Sequence, residues 1–147
     1  MNNTFVLETF RKMGAILAQK VQDKAPSMTN TELCAEALFI PTFEKAREKM
    51  NMLQRPVGFV CISPAGRVVR LLQPYDSDTY GSDPELLPAQ WGFVWSTDPA
   101  HAREFISLAT SPYNTGECCM EGGKVFRSKI DGNVHAPSAY RDGWEVV

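Results

Sequence analysis

What this chain has little of narrows its function before any motif is read. No run of apolar residues approaches the roughly 20 needed to cross a bilayer. The start lacks a basic stretch followed by an apolar core and a small-residue cleavage site. The chain is therefore expected to be made in the cytoplasm without a signal peptide. Excess charge is also missing: 15 Lys and Arg face 17 Asp and Glu, a net charge of -2. Without a basic face, neither nucleic acid nor a membrane is expected as a partner.

Chemistry-bearing clusters are equally sparse. The two histidines, His101 and His135, have no nucleophile beside them in a recognisable turn. Cys34, Cys61, Cys118 and Cys119 lack the paired spacing of a zinc site or a disulfide framework. They are read as small buried hydrophobes in a reduced protein. Asp76, Asp78 and Asp83 lack the ligand spacing and the terminal Glu of a calcium loop. No metal, no cofactor and no catalytic residue is expected, and the protein is read as non-enzymatic, with a hydrolase as a minor alternative.

What is present is a motif used twice. Gly58-Phe59-Val60-Cys61, Gly66-Arg67-Val68-Val69-Arg70, Pro84 and Trp91 recur in order as Gly116-Glu117-Cys118-Cys119, Gly123-Lys124-Val125-Phe126-Arg127, Pro137 and Trp144. Chance seldom repeats such an order in one short chain. Each copy opens as two apolar runs around turn residues, a β-hairpin, with Gly66 and Gly123 supplying the positive φ of the turn. A polar loop, a Pro and a third strand carrying the Trp follow. Because Trp91 and Trp144 occupy one place in the repeat, both are assigned to the core. Each copy is too small to stand alone, so the two should pack on each other, on the helices or on another subunit.

Ahead of the repeats, residues 4–23 carry Val6, Phe10, Met13, Leu17 and Val21 at helical spacing. This helix either folds back on the repeats or bundles with copies of itself. Gly14 costs it roughly 1 kcal/mol relative to Ala, which suits a close approach by another backbone. Thr29-Asn30-Thr31-Glu32 is a capping box, predicting a second helix from Thr31 to Phe39 that stops before Pro41. Residues 42–55 are charged and read as a solvated connector. Asp98-Pro99 predicts a helix start and a spacer helix running on to Phe105 or Leu108. The segments are thus an oligomerising helix (1–25), a helical connector (26–55), a first β module (56–96), a helical spacer (97–112) and a second β module (113–147). The fold class is α+β, with N-terminal helices followed by two small three-stranded antiparallel β modules joined by a short helix.

The repeat, with hairpin, polar loop, Pro and late Trp, resembles the chitin-binding modules of bacterial chitinases. Across roughly residues 56–147 the chain resembles small virion-associated accessory proteins of tailed phages and prophages of gut bacteria. Phrases carrying this resemblance are Leu87-Pro88-Ala89-Gln90-Trp91, Thr115-Gly116-Glu117-Cys118-Cys119 and Ile130-Asp131-Gly132-Asn133-Val134-His135-Ala136-Pro137. The resemblance implies a fibre or tail-associated protein, made in the bacterial cytoplasm and virion-associated after assembly. It also implies a homotrimer that meets other virion proteins and cell-surface or mucosal polysaccharide. The alternative is a stand-alone glycan-binding module. Loop aromatics offer flat faces for sugar rings, so a ligand site is expected around Tyr75, Tyr80, His135 and Tyr140. Trp95 and Tyr113 are further loop aromatics of this kind.

Overall fold

The computed structural model describes residues 3–147; the first two residues of the segment 1–25 lie outside the described residues. The chain is α+β. Helix α1 (Asn3–Lys24) leads through a single 3-10 turn into α2 (Asn30–Ala35) and then α3 (Phe43–Lys49). Strands β1 (Val60–Ile62), β2 (Val68–Leu71) and β3 (Trp91–Phe93) form an antiparallel sheet in that order. A second sheet holds β4 (Arg103–Glu104), β5 (Cys118–Glu121), β6 (Lys124–Ser128) and β7 (Trp144–Val146).

Both hairpins obey their local chemistry. Gly66 sits at φ 87° in the first turn. Gly122 and Gly123, at φ 59° and 78°, form the two-residue turn between β5 and β6, where a side chain would clash with its own carbonyl. At the start of α2, Glu32 N–H donates to Thr29 Oγ1 at 3.1 Å and Thr29 N–H donates to Glu32 Oε1 at 3.3 Å. That helix ends at Ala35 and only a 3-10 turn (Ala37–Phe39) continues it, shorter than the predicted Thr31–Phe39.

Two expectations need correction. The spacer helix after Asp98 is one 3-10 turn, Pro99–His101, after which Ala102 is extended (φ -63°, ψ 141°). Asp98 caps Ala100 N–H as its sequence suggests. The chain then straightens to lay β4 parallel to β5 and to bring Phe105 and Ile106 against the core. The second module therefore has four strands in a mixed sheet. The 42–55 segment is likewise more than a solvated connector: α3 buries Phe43 and Ala46, and Met52 after it is fully enclosed.

The two sheets share one core. Cys61, Val69, Leu71, Trp91 and Phe93 of the first meet Cys119 and Trp144 of the second, with Phe43 and Met52 beside them. Between the sheets runs a line of rings, Phe93–Trp95–Tyr113–Phe105, with successive centroids 5.6, 4.3 and 5.5 Å apart and near-parallel planes. Trp144 meets Tyr113 edge-on at 5.4 Å. Offset stacks and edges of this kind suit the aromatic quadrupole. The opposite face of the first sheet packs Val60, Val68 and Val94 under Val21, Ala25 and Leu33. Buried Arg67 joins the modules: its guanidinium donates to Glu85 Oε1 at 2.7 Å and to the Glu104 carbonyl at 2.6 Å.

Candidate functional site

Helix α1 is anchored to the body near its C-terminal end. Val21 is buried, and Gln22 pairs with the edge of β1 as a strand would. Its Nε2 donates to the Val60 carbonyl at 2.8 Å and its Oε1 accepts Val60 N–H at 3.0 Å. Toward the N-terminus the same stripe runs off the body. Phe10 is 65% exposed, and Phe5, Leu7, Met13, Ile16 and Leu17 are exposed as well, while Val6 is half-buried. Of the five stripe residues expected to face a partner, only Val21 is buried within this chain. A Cβ on Gly14 would meet nothing within 4 Å, so no backbone of the same chain approaches it. Beside α1, a groove of about 660 Å³ is lined by Ala15, Ala18, Pro41, Met50, Val57 and Phe59, among others.

The expected ligand aromatics separate into two places. Tyr75 is 8% exposed and accepts the Trp91 indole N–H at 2.9 Å, so it is a core residue whose face is covered. Trp95 and Tyr113 are buried in the ring stack, again contrary to a loop-surface role. These loops close over the core, which is why their aromatics point inward. Tyr80 is 61% exposed on the loop after Asp76. His135 and Tyr140 lie together on the second module, centroids 5.7 Å apart at 64°. Among the described residues no ring contact joins them to Tyr75 or Tyr80.

The His135–Tyr140 pair rests on a built loop. Fully buried Asn133 donates from Nδ2 to Ser128 Oγ and to the Gly143 carbonyl, and its Oδ1 accepts His135 N–H. Trp144 Nε1 donates to the His135 carbonyl at 2.8 Å. Tyr140, 40% exposed, lies over Gly143, where an added Cβ would come within 2.5 Å of the ring. In the sequence Asn133 is one more polar residue of the run Asp131-Gly132-Asn133, and only the fold shows that it organises the loop. Both repeat tryptophans are core residues, Trp91 fully buried and Trp144 nearly so.

In the acidic loop the Asp76 carboxylate is taken up by structural hydrogen bonds. Asp76 accepts from Asn51 Nδ2, Thr79 Oγ1 and the Asp78 amide. These hydrogen bonds, Asn51's first, hold its pKa at about 2. All four cysteines are free and buried. Burial raises the Cys34 thiol to about 11 and the Cys119 thiol to about 12, and pushes Cys61 up further. Such thiols are poor nucleophiles and poor metal ligands. His101 stands 4.0 Å from Asp98 at the end of the 3-10 turn. Among the described residues no helix is long and apolar enough to cross a membrane. Comparison with protein-family models, with curated proteins and with solved structures finds no match.

Proposed function

We propose that this chain is a non-enzymatic virion accessory protein, a fibre or tail-associated component of a tailed phage or prophage. It assembles through α1 and carries its joined β modules outward as carbohydrate-binding-like surfaces. The observation that supports this reading is the unpartnered apolar stripe of α1. Phe10, Met13 and Leu17 of the stripe and Phe5, Leu7 and Ile16 beside it are exposed, and covering their exposed portions would stabilise an assembly by roughly 5–9 kcal/mol per protomer. Exposure on this scale marks an interaction surface rather than scattered surface apolars. Most helical stability in proteins comes from packing an apolar face, so the formation of α1 and its burial go together. Closed cyclic symmetry gives every stripe the same partner, and three copies are proposed, by analogy with fibre proteins.

Mass spectrometry of purified particles from induced or infected lysates tests the virion assignment. The protein is expected among the particle proteins, and its absence from them overturns the reading. The exposed His135–Tyr140 pair favours a second reading, a stand-alone glycan-binding module. A glycan array distinguishes the two: saturable binding by monomeric protein with no particle association supports the second reading, and a blank array with the folded protein removes it.

A further inference from the structure

Helix α1 turns its apolar row toward its own body and then overshoots it. Phe10, Gly14, Leu17 and Val21 follow one another at steps of four, three and four, and so share one face. On that face Val21 is buried in one cluster with Leu33, Val60 and Val68. A partner helix laid along the whole row would therefore run into the body at Val21. What remains to be covered from outside is the overhang, residues 3–14, which precedes the first α1 residues that line a cavity with the body. It is roughly 18 Å long.

The overhang has the pattern of a helix that lies in a groove. Val6, Phe10 and Met13 stand at i, i+4 and i+7, the spacing of groove-seated anchors. Phe10 and Met13 are 65% and 53% exposed. Glu8 and Lys12 fall on the opposite side, where they stay in water.

A receiving surface lies farther along the same helix. The groove of about 660 Å³ has Ala15 and Ala18 of α1 on one side and Pro41, Met50, Val57 and Phe59 of the body on the other. Its size falls within the roughly 300–1,000 Å³ of clefts that enclose a ligand, and small side chains on the helix wall leave the room that large ones need. Met50 and Val57 are themselves exposed. The overhang cannot enter the groove of its own chain, because α1 is one continuous helix and carries residues 3–14 away from Ala15 and Ala18. It can enter the groove of another copy. Each chain thus has a donor helix and an acceptor groove on different surfaces, which is the heterologous contact that a three-membered ring requires.

The area is sufficient. Covering half the surface of the overhang removes on the order of 400 Å² from water. A copy that gives one helix and takes one buries about twice that, close to the ~800 Å² per partner of a specific interface.

We propose that the groove between α1 and the 41–59 segment receives residues 3–14 of a second copy, with Val6, Phe10 and Met13 inserted. This rests on assembly through α1 and names what the stripe meets, which is the neighbour's groove and not the neighbour's stripe.

Cysteine cross-linking of the full chain tests it, since all four native thiols are buried. Chains with Met13→Cys are mixed with isotope-labelled chains with Val57→Cys, both exposed positions, and left to exchange. A short bis-maleimide is added and the linked peptides are read by mass spectrometry. Links from position 13 of one chain to position 57 of the other are expected. An assembled protein without such links, whether or not position 13 links to itself, overturns the proposal and leaves assembly through α1 standing. A protein that is monomeric by light scattering overturns both. Val57→Glu places a charge in the groove without touching α1 and should weaken assembly by about tenfold or more. If Val57→Glu fails to fold, Ala15→Glu, on the exposed helix wall, carries this arm. A folded groove variant that assembles like the parent overturns the proposal equally.

Discussion

Replacing Trp91 with Ala asks whether the repeated motif makes two independent modules or one. The ring is fully buried, meets Phe43 and Tyr75 edge-on with centroids 5.9 and 6.2 Å away, and gives its N–H to Tyr75 Oη. Truncation of such a ring costs about 3–5 kcal/mol, partly as cavity. In a chain of this size that lowers Tm by roughly 6–20 °C. Trp91→Phe keeps much of the volume but leaves the Tyr75 hydroxyl without its donor, for a smaller loss of about 1–3 kcal/mol. Because rings of both sheets line one core, the weakened protein should still melt in a single transition. Thermal melts followed by near-ultraviolet circular dichroism, with amide NMR signals from β1–β3 and β5–β7 as separate probes, measure this. If the second sheet persists after the first has melted, the shared core does not couple them, and the reasoning fails.

Glu85→Ala strands the buried Arg67 guanidinium, which is expected to cost about 3–5 kcal/mol in chemical denaturation; a loss below 1 kcal/mol would show that the Arg67–Glu104 contact suffices. The Asp76 carboxyl is held at about 2 against an ordinary 3.8. Its folded pKa is depressed, so its contribution is complete above the ordinary value and is lost as pH falls toward 2. NMR titration should find that midpoint, and Asn51→Ala should raise it. The four thiols should resist a disulfide reagent at pH 8 in the native state and all react on unfolding; a fast native count of even one contradicts their burial.

Features set by neighbouring residues were legible in the sequence. Turn glycines, the Thr29–Glu32 box and the Asp98 cap each depend on chemistry within four residues, and all are present. The repeat also marked Trp91 and Trp144 as interior, since the same large ring at the same place in two hairpins has one economical use. What escaped depended on distant partners. Phe43 and Ala46 sit in a charged stretch, and only the sheets beneath them reveal that α3 has an inner face. The start at Asp98-Pro99 is real, but the turn ends at His101 and Phe105 goes into the ring stack, a partner distant in sequence. Tyr75, Trp95 and Tyr113 carry loop-like neighbours, and nothing local says that those loops fold inward.

The central claim is that the exposed stripe of α1 is an assembly surface. Removing the whole helix would confuse the issue, because Val21 and Gln22 also pack and pair with the first sheet. Phe10→Asp with Met13→Asp changes only exposed positions. Multi-angle light scattering on the full chain and on this double variant is the direct measurement. The account predicts three times 16.4 kDa for the full chain and a folded monomer for the variant. A monomeric full chain, or a variant that still assembles, contradicts it.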